Sequence, residues 1–107
     1  MLLETFKVLH TIKHECKEKY NVNTPQLYIL LCVHDEQSQI LKVDDISNST
    51  NINLSSTASN LAYLMKIGLI SNIGSSSRSS AYYQVTSKGR YIAKKYKNLF
   101  YELSNNI

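Results

Sequence analysis

The chain has 107 residues, 43% of them apolar, with two cysteines and a net charge of +4 from twelve basic and eight acidic side chains. That length excludes a multidomain protein and allows one modest core, which oligomerisation would strengthen. The longest apolar run, residues 27–33, is far too short to span a membrane. No secretory leader is recognisable, so the expectation is a cytoplasmic protein with reduced thiols.

Residues 2–20 predict a helix. Leu2, Leu3, Phe6, Leu9, Ile12, Cys16 and Tyr20 recur at three- and four-residue steps, with Lys7, Lys13, Lys17 and Glu18 between them. The apolar face is wide and needs a cover, either the core or a partner chain. Thr24-Pro25 then starts a second helix, running to about Asp35. The threonine hydroxyl is placed to cap it, and the proline fits its first turn. Residues 36–39 are a turn, and Ile40-Leu41 is a candidate short strand. Val43–Ser49 is a short helix with Asp44 and Asp45 in its first turn, where the helix dipole favours them.

The stretch 54–85 is the most informative. Leu54, Ala58, Leu61 and Met65 share a helical spacing over about 54–66, while Ser55, Ser56, Ser59, Asn60 and Tyr63 fall largely on the other side and Thr57 lies between. Asn53 or Ser55 is placed to cap this helix, and Gly68 to end it in the left-handed conformation. Serine is a mediocre helix former, so a serine-rich exposed face is not there for helix stability. Leu69–Ile73 alternates as a strand, 74–80 (GSSSRSS) is a loop carrying Arg78, and Ala81–Val85 is the return strand. Thr86 caps a last helix reaching about Ser104. Lys88, Arg90, Lys94, Lys95 and Lys97 line its first half, and Tyr91, Ile92, Tyr96, Leu99, Phe100 and Leu103 make a broad apolar face.

A polar-faced helix, a glycine stop and a strand–loop–strand together spell a winged helix-turn-helix. The fold class is α+β, mainly α, with a small antiparallel hairpin as the wing. The single domain 1–107 divides into a winged-helix core at 24–85 and helices at about 1–20 and 87–104 available for dimerisation. In this frame Ser55, Ser56, Thr57, Ser59, Asn60 and Tyr63 are candidates for contacts to base edges and phosphates in a major groove; an asparagine can read adenine bidentately. Arg78 at the hairpin tip is a candidate for an adjacent minor groove. Lys66, Lys88 and Arg90 are candidates for flanking phosphates, as are Thr24 and Gln26 at the start of the second helix. From Lys66 onward the chain has seven basic residues against Glu102 alone.

These same stretches resemble the MarR-type winged-helix transcription regulators, and more distantly the SarA-type regulators. The likeness covers about residues 24–92. Leu61-x-x-Leu64-x-x-x-Gly68-Leu69-Ile70 follows that family's L-x-x-L-x-x-x-G-L-I, and Val85-Thr86-x-Lys88-Gly89 follows the L-T-x-x-G that opens its last helix. The resemblance implies a homodimer on a two-fold double-stranded DNA site, with the first and last helices joined. Repression by occupying a promoter is the expected mode of action, with activation left open. Two departures stand out. Family wings carry an aspartate two residues before the arginine, where this chain has Ser76, and the chain is short for the family.

Other chemistry has little support. His10 and His14 stand one helical turn apart with Cys16 nearby, but no third metal ligand is evident. Nothing near Cys16 or Cys32 visibly lowers a thiol pKa. GSSSRSS lacks the lysine of a phosphate-binding loop, and Asp44-Asp45 diverge on a helix. No enzyme, cofactor or metal is therefore expected, and the sequence names no small-molecule effector. Two alternatives stay open: a winged-helix plasmid-partition or phage accessory DNA-binding protein, and a protein-interaction module without specific DNA binding.

Overall fold

A computed structural model describes residues 2–36, 41–74 and 81–106, with side chains to residue 102. In chain order it contains α1 (Leu2–Tyr20), α2 (Thr24–Asp35), α3 (Val43–Thr50), α4 (Leu54–Lys66), β1 (Ile70–Asn72), β2 (Tyr83–Val85) and α5 (Ser87–Asn106). The strands pair antiparallel, with Ile70 opposite Val85 and Asn72 opposite Tyr83. The turn at 37–39, Ile40, and the loop at 75–80 with Arg78 lie outside the described residues.

Each helix boundary has a local cause. Asn21 takes a left-handed φ of 57° and ends α1. Asn23, and not Thr24, caps α2. Its side chain accepts from the Gln26 N–H at 3.0 Å, while the Gln26 side chain accepts from the Asn23 N–H at 3.0 Å. This reciprocal box satisfies two otherwise orphaned donors, which leaves the Thr24 hydroxyl no capping role. Asp45 accepts from the Lys42 N–H to open α3. Asn53 accepts from the Ser56 N–H at 2.8 Å to open α4, and Gly68 closes it at φ +81°, a conformation that costs a side-chain-bearing residue far more than glycine.

Thr86 makes the sharpest junction. Its hydroxyl accepts from the Gly89 N–H at 3.1 Å, capping α5, and donates to the Gly68 carbonyl at 2.6 Å. Its own N–H donates to the Leu69 carbonyl at 3.0 Å. The start of α5 is thereby held against the end of α4. Gly89 permits this: a Cβ there would lie 2.1 Å from the Leu69 carbonyl oxygen.

One core joins all five helices and the hairpin. Ile12 of α1, Leu27 and Leu30 of α2, Ile46 of α3, Leu61 and Leu64 of α4, Val85 of β2, and Ile92 and Tyr96 of α5 are all buried in it. The expected strand at 40–41 is not present as a strand among the described residues. Leu41 buries its side chain in the core, and its carbonyl accepts from the Tyr83 N–H at 3.0 Å. At the other end of the hairpin the Asn72 side chain accepts from the Gly74 and Tyr82 N–H groups.

The helix α1 is docked unevenly. Ile12 and Cys16 are buried, but Leu2 and Leu3 are 66% exposed and Phe6 57%. Its buried half is tied to α5 by one carboxylate. Glu15 Oε1 accepts from Lys95 Nζ at 3.1 Å and from the buried Tyr96 hydroxyl at 3.1 Å. Lys95, then Tyr96, holds the Glu15 carboxyl below its ordinary value of 4.5. A carboxyl with a depressed folded-state pKa contributes stability above its unfolded value and loses it as pH falls through the folded one. Glu15→Gln is therefore expected to lower the melting temperature at neutral pH. The gap to the wild type should close as the pH drops below the carboxylate range, as thermal melts across a pH series would show. A gap that persists undiminished in acid would contradict the pairing.

Candidate nucleic-acid interface

The outward face of α4 differs from the one its apolar spacing suggests. Thr57 is fully buried, with Leu61 and Leu64, while Leu54, Ala58 and Ala62 are exposed and Met65 is half-buried. The helix is rolled so that 57, 61 and 64 meet the core. The Thr57 hydroxyl makes this possible by donating within the fold, with the Asn53 and Ile52 carbonyls at 2.9 and 3.2 Å. A threonine satisfied in this way buries like an aliphatic residue. Thr57 thus supports α4 and does not face a ligand.

The exposed stripe is Ser55, Ala58, Ser59, Ala62 and Lys66, with Ser56, Asn60 and Tyr63 half-exposed at its edges. Four of the polar side chains expected to face DNA stand at this surface without internal partners among the described residues: Ser55, Ser56, Ser59 and Lys66. Two others are engaged. The Tyr63 hydroxyl donates to the Asn21 carbonyl at 2.6 Å, so it has no proton left to donate to a phosphate oxygen. The Asn60 Oδ1 accepts from Gln26 Nε2 at 3.2 Å. Gln26 itself is buried and turned to internal partners, its Oε1 accepting from the Asn23 N–H and its Nε2 donating to Asn60. Thr24 is half-buried and turns toward a recess of about 280 Å³ between α1, α2 and α5, shared with Phe6, His10 and Tyr28. Neither Thr24 nor Gln26 stands on the α4 surface as a free backbone contact. The apolar spacing groups Ala58 with Leu54, Leu61 and Met65, yet Ala58 and Leu54 stand outward here, because alanine fits either position equally and Thr57 takes the place in the core.

The cations divide into two groups. Lys95 pairs with Glu15, Lys97 pairs with Asp35 at 2.8 Å, and Lys19 pairs with Glu15. Lys42 stands over the Tyr82 ring. Lys66, Lys88, Arg90 and Lys94 are exposed and make no ion pair among the described residues. The Thr86 junction sets the first turn of α5, with Lys88 and Arg90, against the end of α4, where Lys66 stands. A basic rim thus flanks an uncharged helix face. Arg78 belongs to the loop between β1 and β2, outside the described residues.

The histidine pair and the two cysteines lie on α1 and α2, outside this surface. His10 and His14 stack with ring centroids 6.4 Å apart, and no cluster of three metal-ligating side chains occurs among the described residues. Burial pushes both thiols up to about 11, away from the thiolate that redox chemistry requires. Among the described residues, no helix is long and apolar enough to cross a membrane.

No protein-family model and no curated protein matches the sequence. Solved structures match strongly. MepR, a transcription regulator of the Staphylococcus aureus multidrug efflux pump MepA, superposes with a TM-score of 0.76 at 14% identity, over 97% of this chain and 76% of that one. The S. aureus MepR–DNA complex gives 0.74 at 15% identity, over 92% and 80%. Streptococcus pneumoniae FabT in complex with DNA gives 0.76 at 16% identity, over 98% and 75%. A likeness at these identities is one of fold, and it agrees with the five helices, the hairpin and their order. The chain has the winged helix-turn-helix fold of the MarR-type regulators.

Proposed function

We propose that this protein is a double-stranded DNA-binding transcription regulator that works inside the cell as a homodimer. The observation that carries the reading is the uncharged, small-residue face of α4 flanked by the unpaired cations Lys66, Lys88 and Arg90. In a groove lined by phosphates, such a face seats closely without repulsion, and the rim supplies the affinity. Each α4 enters one major groove, with two half-sites about one DNA turn apart. Arg78 reaches the adjacent minor groove from the wing, and occupation of a promoter represses it. The DNA complexes formed by proteins of the same fold, MepR and FabT, favour this reading.

The dimer rests on apolar surface. Leu2, Leu3 and Phe6 of α1 and Tyr91 and Tyr101 of α5 are large, apolar and more than half exposed. Five such side chains on the two terminal helices exceed what a small monomer keeps in water, and a two-fold interface covers the same patch on both copies. Sedimentation at micromolar concentration is expected to give a dimer, and titration to give two chains per duplex. A monomer that binds DNA one to one would overturn the assembly.

A further inference from the structure

The hydrogen bond between Gln26 and Asn60 has a fixed direction, and that direction bears on which bases α4 can read. The Asn23 backbone N–H can only donate, and it donates to Gln26 Oε1 at 3.0 Å. The oxygen of the Gln26 amide is thereby assigned, and its nitrogen must be the end that reaches α4. That nitrogen can only donate, so the Asn60 atom 3.2 Å away is the amide oxygen, Oδ1. The chain of constraint starts at a backbone group that has no second orientation. It ends on a half-exposed side chain in the second turn of the reading helix. Asn60 Nδ2 is left with no partner among the described residues.

We infer that Gln26 sets the base preference of Asn60 by holding its amide as a donor. This inference rests on the proposal that α4 enters the major groove. Bidentate reading of adenine needs both an acceptor and a donor from one asparagine. With one lone pair of Oδ1 taken by Gln26, the end of the Asn60 amide left without a partner among the described residues is the donor. The Nδ2–H groups left over pair with acceptors on the groove floor, which are O6 and N7 of guanine, N7 of adenine and O4 of thymine. Cytosine presents only its exocyclic amino group there, and an N–H facing an N–H is repelled. One position of each half-site is therefore read against cytosine. The residue that fixes the choice is nine-tenths buried in α2 and touches no DNA.

Gln26→Glu tests this directly. A glutamate at the third position of α2 still accepts from the Asn23 N–H, since either residue completes a capping box, so the helix start is retained. Toward Asn60, however, it can only accept. The Asn60 amide must then rotate, with Nδ2 donating to the glutamate and Oδ1 facing the groove. The experiment selects bound sequences from a randomised duplex pool with the wild type, Gln26→Glu and Asn60→Ala, and checks each fold by thermal melting.

The wild type should deplete cytosine at one position, by about fivefold to tenfold against the other bases, the scale of one lost base contact. Gln26→Glu, which presents an acceptor, should admit cytosine there and disfavour guanine and thymine, leaving the other positions unchanged. Asn60→Ala should erase it there alone. Melting like the wild type with an unaltered base preference in both variants would overturn the inference while leaving DNA binding intact. A wild type that enriches no sequence would instead overturn the DNA reading, and this inference with it.

Discussion

Gly89→Ala is expected to destabilise the protein by about 3 kcal/mol, the upper part of the range for overpacking a filled site. The new methyl group would lie 2.1 Å from the Leu69 carbonyl oxygen, 3.0 Å from its carbon, and 3.3 Å from Leu30 Cδ1. The leucine side chain can give way, but the backbone cannot do so cheaply. Leu69 is held on both sides, its N–H donating to the Leu64 carbonyl at 2.9 Å and its oxygen accepting from the Thr86 N–H at 3.0 Å. Either that second bond breaks or α5 tilts away from α4. In a domain of this size the loss corresponds to a melting temperature lower by roughly 10–20 °C, measurable by circular dichroism. Because Lys88 and Arg90 ride on the same turn, the folded variant should also bind DNA less tightly. An unchanged melting temperature would mean that α5 does not approach Leu69 this closely.

Ala58→Glu is expected to abolish DNA binding while leaving the fold untouched. Ala58 is exposed in mid-helix and packs against nothing in the core. Glutamate is a good helix former, so the change in stability should stay within about 0.5 kcal/mol. In a DNA complex the same carboxylate would face phosphates and base acceptors at close range. Like charges brought together at an interface cost several kcal/mol. The expected loss of affinity is at least about a hundredfold, or roughly 3 kcal/mol. Quantitative gel shifts or fluorescence anisotropy would measure it, with melting as the control for folding. Wild-type affinity in this variant would place the DNA on some other surface.

These two sites differ in how far they were legible. The helix limits could be read because their causes are local: Asn21 and Gly68 stop helices, Asn53 and Thr86 start them, and the apolar spacing fills the space between. Sequence alone does not choose between Thr24 and Asn23 as the cap of α2, since both are good caps and only the reciprocal bond to Gln26 decides. The roll of α4 was not legible. It depends on Thr57 finding two carbonyls at the turn before the helix, and a threonine alone reads as polar. Treating Thr57 as buried shifts the whole face by one position and brings Ala58 and Ala62 out. Long-range pairings were equally hidden. Lys95 and Lys97 look like a continuous basic face with Lys88 and Arg90 until Glu15 and Asp35 come across from α1 and α2 to neutralise them. The Gln26–Asn60 contact joins residues 34 apart, beyond any local pattern. Gly89 stands apart from Gly68 for a similar reason. Its need is close approach to another strand of backbone, and nothing in its immediate neighbours announces that.

The central claim is that the α4 face and its basic rim bind duplex DNA with sequence preference. Its most direct test is a titration of the intact protein with a selected duplex and a scrambled one, at two salt concentrations. Three cations per protomer, Lys66, Lys88 and Arg90, engage six phosphates in a dimer. That predicts a slope of about −5 in log affinity against log salt, together with a clear preference for the selected duplex. Equal binding to both duplexes, with affinity indifferent to salt, would contradict the account.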